Sequence, residues 1–431
     1  MRRVSAALLA LAAILAGGAP ASAYTESDLK RKLAREMGRA PASSGAYVRD
    51  MDSGEELYAV RENAVRIPAS VEKLFTTSSA LLRLGPSATL QTNAVVARGT
   101  VVQPGGILRG DLVLVGGGDP FFGDASSALL ARSVLAAGVR RIAGGVVGDE
   151  SAFDGRRASC CPGYDGDLGG VLSALAYDRG IHRGRARLDA ARFAAARFAA
   201  RLEAAGVQVV GRSRAGAAPE GARTLAVVRA ANVAALARAI NAPSDNFAAE
   251  MLFKELGARY RDSGTTAAGA DVVRDTLDDF GVRPRIVDGS GLSRRNRATP
   301  RQVVRLLERM HHQDVAVSFR RSLAVAGVSG TVRRRMRRTA AAGRCQVKTG
   351  TLRGVSALAG YCRAAGGREI AFALMSNRAN TFVAKAREDR MAAAIARLSS
   401  APSPRRNGGG AAPDDDGGTA PEPAGRRARA R

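Results

Sequence analysis

Residues 68–73 read Pro68-Ala69-Ser70-Val71-Glu72-Lys73, followed by an apolar run to Leu84 that Gly85-Pro86 stops. A proline ahead of the run and a Gly-Pro pair behind it bracket one helix. Ser70 and Lys73 stand three positions apart, so they share a face and the amine can reach the hydroxyl. A serine hydroxyl is a poor nucleophile until a neighbour takes its proton. A desolvated lysine can do that without histidine. Backbone amides at the helix start would also favour developing negative charge. Ser-x-x-Lys recurs by chance, so the rest of the chain must supply the other parts of such a site.

A second segment, Ser244-Asp245-Asn246, follows Pro243 and falls between helical runs at residues 232–240 and 247–256. Its ordinary reading is a helix cap, because Ser and Asp both accept from the first free amides of a helix. Its chemical reading makes Ser244 a proton relay and Asn246 a hydrogen-bonding partner for substrate backbone. A third segment, Lys348-Thr349-Gly350, lies in the first of three strand-like runs: Cys345–Leu352, Val355–Cys362 and Glu369–Met375. Its ordinary reading is an edge strand with a solvated lysine. Its chemical reading lets Lys348 and Thr349 grip a terminal carboxylate, with Gly350 allowing close backbone approach. The amides of Thr351 and Ser70 would then form an oxyanion hole. Helix, turn and strand carry the three segments in chain order, and together they are far more specific than any one.

The lysines sharpen this. Of 66 basic residues only Lys30, Lys32, Lys73, Lys254, Lys348 and Lys385 are lysine, and two of those six fall in the motifs. Arginine serves wherever charge suffices. A retained lysine points to a compact amine that can lose its proton.

With these motifs, and with Gly118-Asp119-Pro120, Gly148-Asp149-Glu150-Ser151, Phe153-Asp154, Phe247-Ala248-Ala249-Glu250 and Asp288-Gly289-Ser290-Gly291-Leu292-Ser293-Arg294, the chain resembles the class C low-molecular-mass penicillin-binding proteins. That is the D-alanyl-D-alanine carboxypeptidase/endopeptidase family, with domains inserted between the first two motifs. The resemblance covers nearly the whole mature chain to about Leu398. It implies an α/β (α+β) fold: a β-lactamase/transpeptidase-like domain of antiparallel sheet and helices, carrying one or two inserted β-rich domains. It also implies catalysis by Ser70, with Lys73 as base, Ser244 as proton relay and Lys348 as carboxylate anchor. Leu292 and Arg294 would line the substrate side-chain pocket. Peptidoglycan stem peptides are the implied substrates and β-lactams the implied covalent inhibitors. After Phe153 the chain departs from the family, with Cys160-Cys161 and few aromatics where a pocket wall is expected. The alternatives are a β-lactamase or esterase on this scaffold, and a non-catalytic envelope-binding protein. No Glu-x-x-Leu-Asn loop, the usual deacylating element of class A β-lactamases, lies between Asn246 and Lys348.

Composition sets the frame. Arg2-Arg3, an apolar run from Val4 to about Leu15 and Ala21-Ser22-Ala23 read as a signal peptide at residues 1–23, too short to span a bilayer permanently. Export to the periplasm, cell envelope or medium is expected, with no membrane span. Further divisions are expected at 24–89 and 223–400 for the transpeptidase-like domain, 90–222 for the insert, and 401–431 for a basic disordered tail. The formal charge of +27 reads as solvated arginine or as attraction to anionic envelope polymers. Nucleic acid is not expected of an exported chain without Trp. Cysteine and histidine spacings suggest no metal, and no cofactor is expected. If Arg353-Gly354 is a two-residue turn, Cys345 faces Cys362 in a non-hydrogen-bonded pair close enough to bridge. Cys160 and Cys161 are left open.

Overall fold

The computed structural model describes residues 23–159 and 163–399. Most of the signal segment, Cys160 and Cys161, and the basic tail lie outside the described residues.

Strands from both ends of the chain build one antiparallel six-stranded sheet. Its order is Ala324–Val325, Cys345–Leu352, Val355–Arg363, Glu369–Asn377, Ser44–Asp50 and Glu56–Val60. The Arg353-Gly354 turn sets the register, pairing Leu352 with Val355 and Cys345 with Cys362. Those cysteines form a disulfide with Cα atoms 4.0 Å apart, the short spacing of a non-hydrogen-bonded pair. The side-chain period of two then sorts the faces. Ala357, Ala359, Tyr361 and Ala373 face a large core with helices Lys73–Leu84, Val233–Asn241, Asn246–Arg261, Thr266–Asp278 and Pro300–His311. Leu358, Cys362, Ile370 and Phe372 face a second core under helices Glu26–Gly38 and Thr381–Arg397. Helices thus cover both faces.

Between the first and second motifs the chain makes a separate apolar core. Its five-stranded sheet runs Arg214–Ala215, Val146–Asp149, Leu112–Gly116, Thr89–Val96 and Arg223–Asn232. Two of its pairings are parallel. Parallel neighbours need a crossover, which helices Asp124–Ala136 and Ala190–Ala204 supply; the Ala/Arg/Phe run at 191–205 reads as helical from sequence, whereas Asp124–Ala136 lies in a stretch whose texture suggests strands.

Candidate active site

The nucleophile segment opens with a 3₁₀ turn, Ala69–Glu72, before the α-helix begins at Lys73. In 3₁₀ geometry residues i and i+3 eclipse, which sets Lys73 directly over Ser70. Lys73 Nζ lies 3.0 Å from Ser70 Oγ, while Ser70 stays partly exposed. The amine also donates to Asn246 Oδ1 at 2.6 Å and to the Ser290 carbonyl at 2.5 Å. Ala69 holds a left-handed φ of 48°, a strained conformation that its surroundings must over-determine. They do: Gly350 of the motif strand approaches so closely that an added Cβ would meet Pro68 O at 2.5 Å and Ser70 N at 3.2 Å.

The turn segment delivers the second serine from a second strained backbone, with Ser244 at φ 68°. Asp245 caps helix Asn246–Arg261 through the Ala248 amide at 3.0 Å, so the cap reading of this segment holds for that residue. Asp245 also pairs with Arg179, whose guanidinium sits over the Phe121 and Phe247 rings. Asn246 turns its Oδ1 to Lys73, and its amide nitrogen donates to Asp167 O at 2.8 Å.

On the motif strand, alternation sends Lys348 to the face it shares with Ala359, toward the core of helix Lys73–Leu84. There its Nζ donates to Ser244 Oγ at 2.8 Å and to Thr349 O at 2.8 Å. Thr349 goes to the other face and bonds Thr331 at 2.8 Å between hydroxyls. Because Cys345 lies in a non-hydrogen-bonded pair, Thr351 does too, and its N–H points away from strand Val355–Arg363.

Electrostatics set the protonation. Lys73 is fully buried, and desolvation lowers its pKa to about 8 against the opposing pull of Asp288, Glu250, Asp245 and Glu72. Lys348, equally buried, is pushed well below the usual lysine range by desolvation and by Lys73. Behind Lys73 stand carboxylates the motifs do not announce. Glu72 is buried with neither oxygen hydrogen-bonded among the described residues, and burial plus Asp288 and Glu250 raise its pKa strongly. Glu250 accepts from the Ser290 amide at 2.8 Å and is also raised, mainly by burial. Asp288 accepts from Gly291 N at 2.9 Å and Asn296 Nδ2 at 2.7 Å, shaping the loop whose Ser290 carbonyl meets Lys73.

Leu292 packs against the small core that holds Phe153 and Phe247. Arg294, exposed, donates to Arg353 O at 2.6 Å. Both line a cleft of about 840 Å³ with Asp154, Asp167, Leu352 and Arg353, and Ser70 is not in its lining. The structure therefore joins Ser70, Lys73 and Asn246 by hydrogen bonds and Ser244 and Lys348 by another, with Lys73 near enough to act on Lys348 electrostatically and Gly350 against residues 68–70. It sets Leu292 and Arg294 beside these residues. Sequence reading missed Glu72, Asp167, Thr331 and Arg179. Only Glu72 carried a signal, as an acidic neighbour of a selected lysine.

The family model described as the D-Ala-D-Ala carboxypeptidase 3 (S13) family matches residues 28–170 and 167–398. A D-alanyl-D-alanine carboxypeptidase of Actinomadura sp. (strain R39) is 30% identical over 422 residues, covering 78% of this chain and 78% of that protein. A carboxypeptidase of Mycobacterium tuberculosis is 31% identical over 360 residues, covering 77% and 76%. The crystal structure of penicillin binding protein 4 from Haemophilus influenzae superposes with a TM-score of 0.71 at 22% identity, covering 84% of this chain and 98% of that one.

Proposed function

The chain belongs to the D-Ala-D-Ala carboxypeptidase 3 (S13) family, and from that premise we propose that it is a penicillin-binding serine D,D-peptidase acting on peptidoglycan stem peptides through a Ser70 acyl-enzyme. One observation carries the assignment of roles: a buried amine of lowered pKa, Lys73, within 3.0 Å of a partly exposed serine hydroxyl.

The unprotonated amine takes the Ser70 proton as Oγ attacks the carbonyl of the penultimate D-alanine. Negative charge develops on that carbonyl oxygen, where the Ser70 and Thr351 amides can receive it. Breakdown expels terminal D-alanine, whose nitrogen collects a proton relayed through Ser244. Lys348 is positioned to meet the terminal carboxylate. An arriving anion raises its pKa and restores the charge that burial suppresses. Water then hydrolyses the ester. With a β-lactam the leaving group stays tethered and the ester persists.

Separate cores support a division into a transpeptidase-like body from residues 24–89 and 223–400 with an insert at 90–222. Among the described residues no helix is long and apolar enough to cross a membrane. The signal-like N-terminus, Arg2-Arg3 with the apolar run after it, supports action outside the cytoplasmic membrane.

The test is release of D-alanine from an acyl-D-Ala-D-Ala peptide. Ser70→Ala is expected to lower kcat/KM by about 10³-fold or more, the usual scale for removing a nucleophile. A folded Ser70→Ala protein retaining most of its activity would overturn the assignment.

A further inference from the structure

On the far side of the Arg353-Gly354 turn lies a second cleft, of about 920 Å³. Arg61, Arg66, Arg294, Arg297, Arg353 and Arg378 line it, and no Asp or Glu does. A lining of that size drawn at the chain's average composition would hold about two arginines and about one acid. None of the six pairs with a carboxylate among the described residues. Their partners are carbonyls: Arg61 donates to Ser44 O at 2.6 Å, and Arg297 to Arg294 O at 2.5 Å and Asn296 O at 2.8 Å.

Arg66 is the built part. It is 4% exposed, and its guanidinium is held by Ser43 O at 2.7 Å, Ser44 O at 2.9 Å and Arg61 O at 2.9 Å. Carbonyl dipoles fix this charge without cancelling it. The local acids are spent elsewhere: Glu62, adjacent in sequence to Arg61, and Glu56 both pair with Arg301. A buried cation with five more around it leaves a strong unneutralised field in a concave site, which concentrates anions.

We propose that this cleft binds the phosphate groups of an anionic phosphodiester polymer. Guanidinium forks match phosphate oxygens bidentately. Six positive charges lining one cleft fit a ligand that repeats its negative charge better than one carrying it once. Arg294 and Arg353 line this cleft and the one beside the motif strand, so a polymer held here would tether the protein with its catalytic strand at hand. The inference does not depend on the peptidase reading, and binding is read without turnover.

The experiment measures binding of the full-length mature chain to a poly(glycerol phosphate) oligomer, to glycerol 3-phosphate, and to poly-D-glutamate of equal charge, across salt concentrations. The oligomer is expected to bind about tenfold or more tighter than either comparator. In Arg61→Gln/Arg297→Gln/Arg378→Gln its affinity should fall about tenfold or more. The slope of log affinity against log salt should become shallower by about two units, as expected on losing three phosphate contacts. Arg132→Gln/Arg212→Gln/Arg238→Gln removes equal charge from exposed positions elsewhere and should change binding less than about threefold. Equal loss in both triple variants would show diffuse attraction to a basic protein and overturn the proposal. So would poly-D-glutamate or the monomer binding as well as the oligomer. Should the cleft variant fail to fold, the single charge reversal Arg378→Glu, at an exposed side chain, gives the same reading.

Discussion

Three of the six lysines, Lys73, Lys254 and Lys348, are fully buried. Burial is where an amine and a guanidinium differ most, because only the amine can shed its charge in the protein. As the proposed base, Lys73 would use that property. Below its pKa of about 8 the unprotonated fraction grows tenfold per pH unit. The acylation rate should therefore climb with pH and level off above about 8, since the protonated amine, dominant on the acid side, is inactive. A stopped-flow profile checks this, and a rate flat from pH 6 to 9 would remove Lys73 as base. Lys73→Arg keeps the charge and loses the base, so acylation should fall about 10²–10⁴-fold while the melting curve stays cooperative. Lys254 also fits the pattern, pairing with Asp154 at 2.6 Å against the Phe153 ring. Sparse lysine in an arginine-rich chain made the motif residues legible from sequence. Glu72 was legible only as an acidic neighbour of a retained lysine, and Asp167 not at all, because a loop carbonyl under an asparagine leaves no spacing to read.

At the scale of elements, the motif strand is a ruler fixed at both ends. The Arg353-Gly354 turn sets its register and the Cys345–Cys362 disulfide closes its far end. The register could be read from sequence because a two-residue turn dictates which residues face each other. The 3₁₀ opening of the nucleophile segment could not, since it depends on Gly350 and Gly291 pressing against residues 68–72. Gly350→Ala should thus displace the nucleophile turn. Overpacking of this kind costs about 1–3 kcal/mol, and penicillin acylation should fall more steeply than stability. Near-normal acylation with lowered stability would mean that the close approach serves packing alone. Replacing both bridged cysteines by serine should cost about 3 kcal/mol, read as a lower denaturant midpoint. The reduced wild type should match it.

Across the whole molecule, the site joins parts that lie far apart in the chain. Arg179, from the stretch between the first two motifs, pairs with Asp245 and covers Phe247, while Asp167 O takes the Asn246 amide. The region between the motifs therefore helps to aim the second motif. Arg179→Ala should lower kcat/KM about tenfold, within the range of coupling carried by one such contact, with Lys73's apparent pKa little changed. An unchanged kcat/KM would make that contact structural only. The three C-terminal strands of the six-stranded sheet were legible from periodicity, whereas its two-residue edge strand, Ala324–Val325, was too short to show any. The parallel pairs of the middle region were not legible, because alternation looks the same in parallel and antiparallel strands, and only the long connections distinguish them.

The most direct measurement is the intact mass of the protein after brief incubation with benzylpenicillin, followed by peptide mapping, for wild type and Ser70→Ala. One added penicilloyl group on the peptide carrying Ser70, absent from the folded variant, is the result predicted. An adduct that persists in Ser70→Ala, or wild-type protein that stays unmodified, would contradict it.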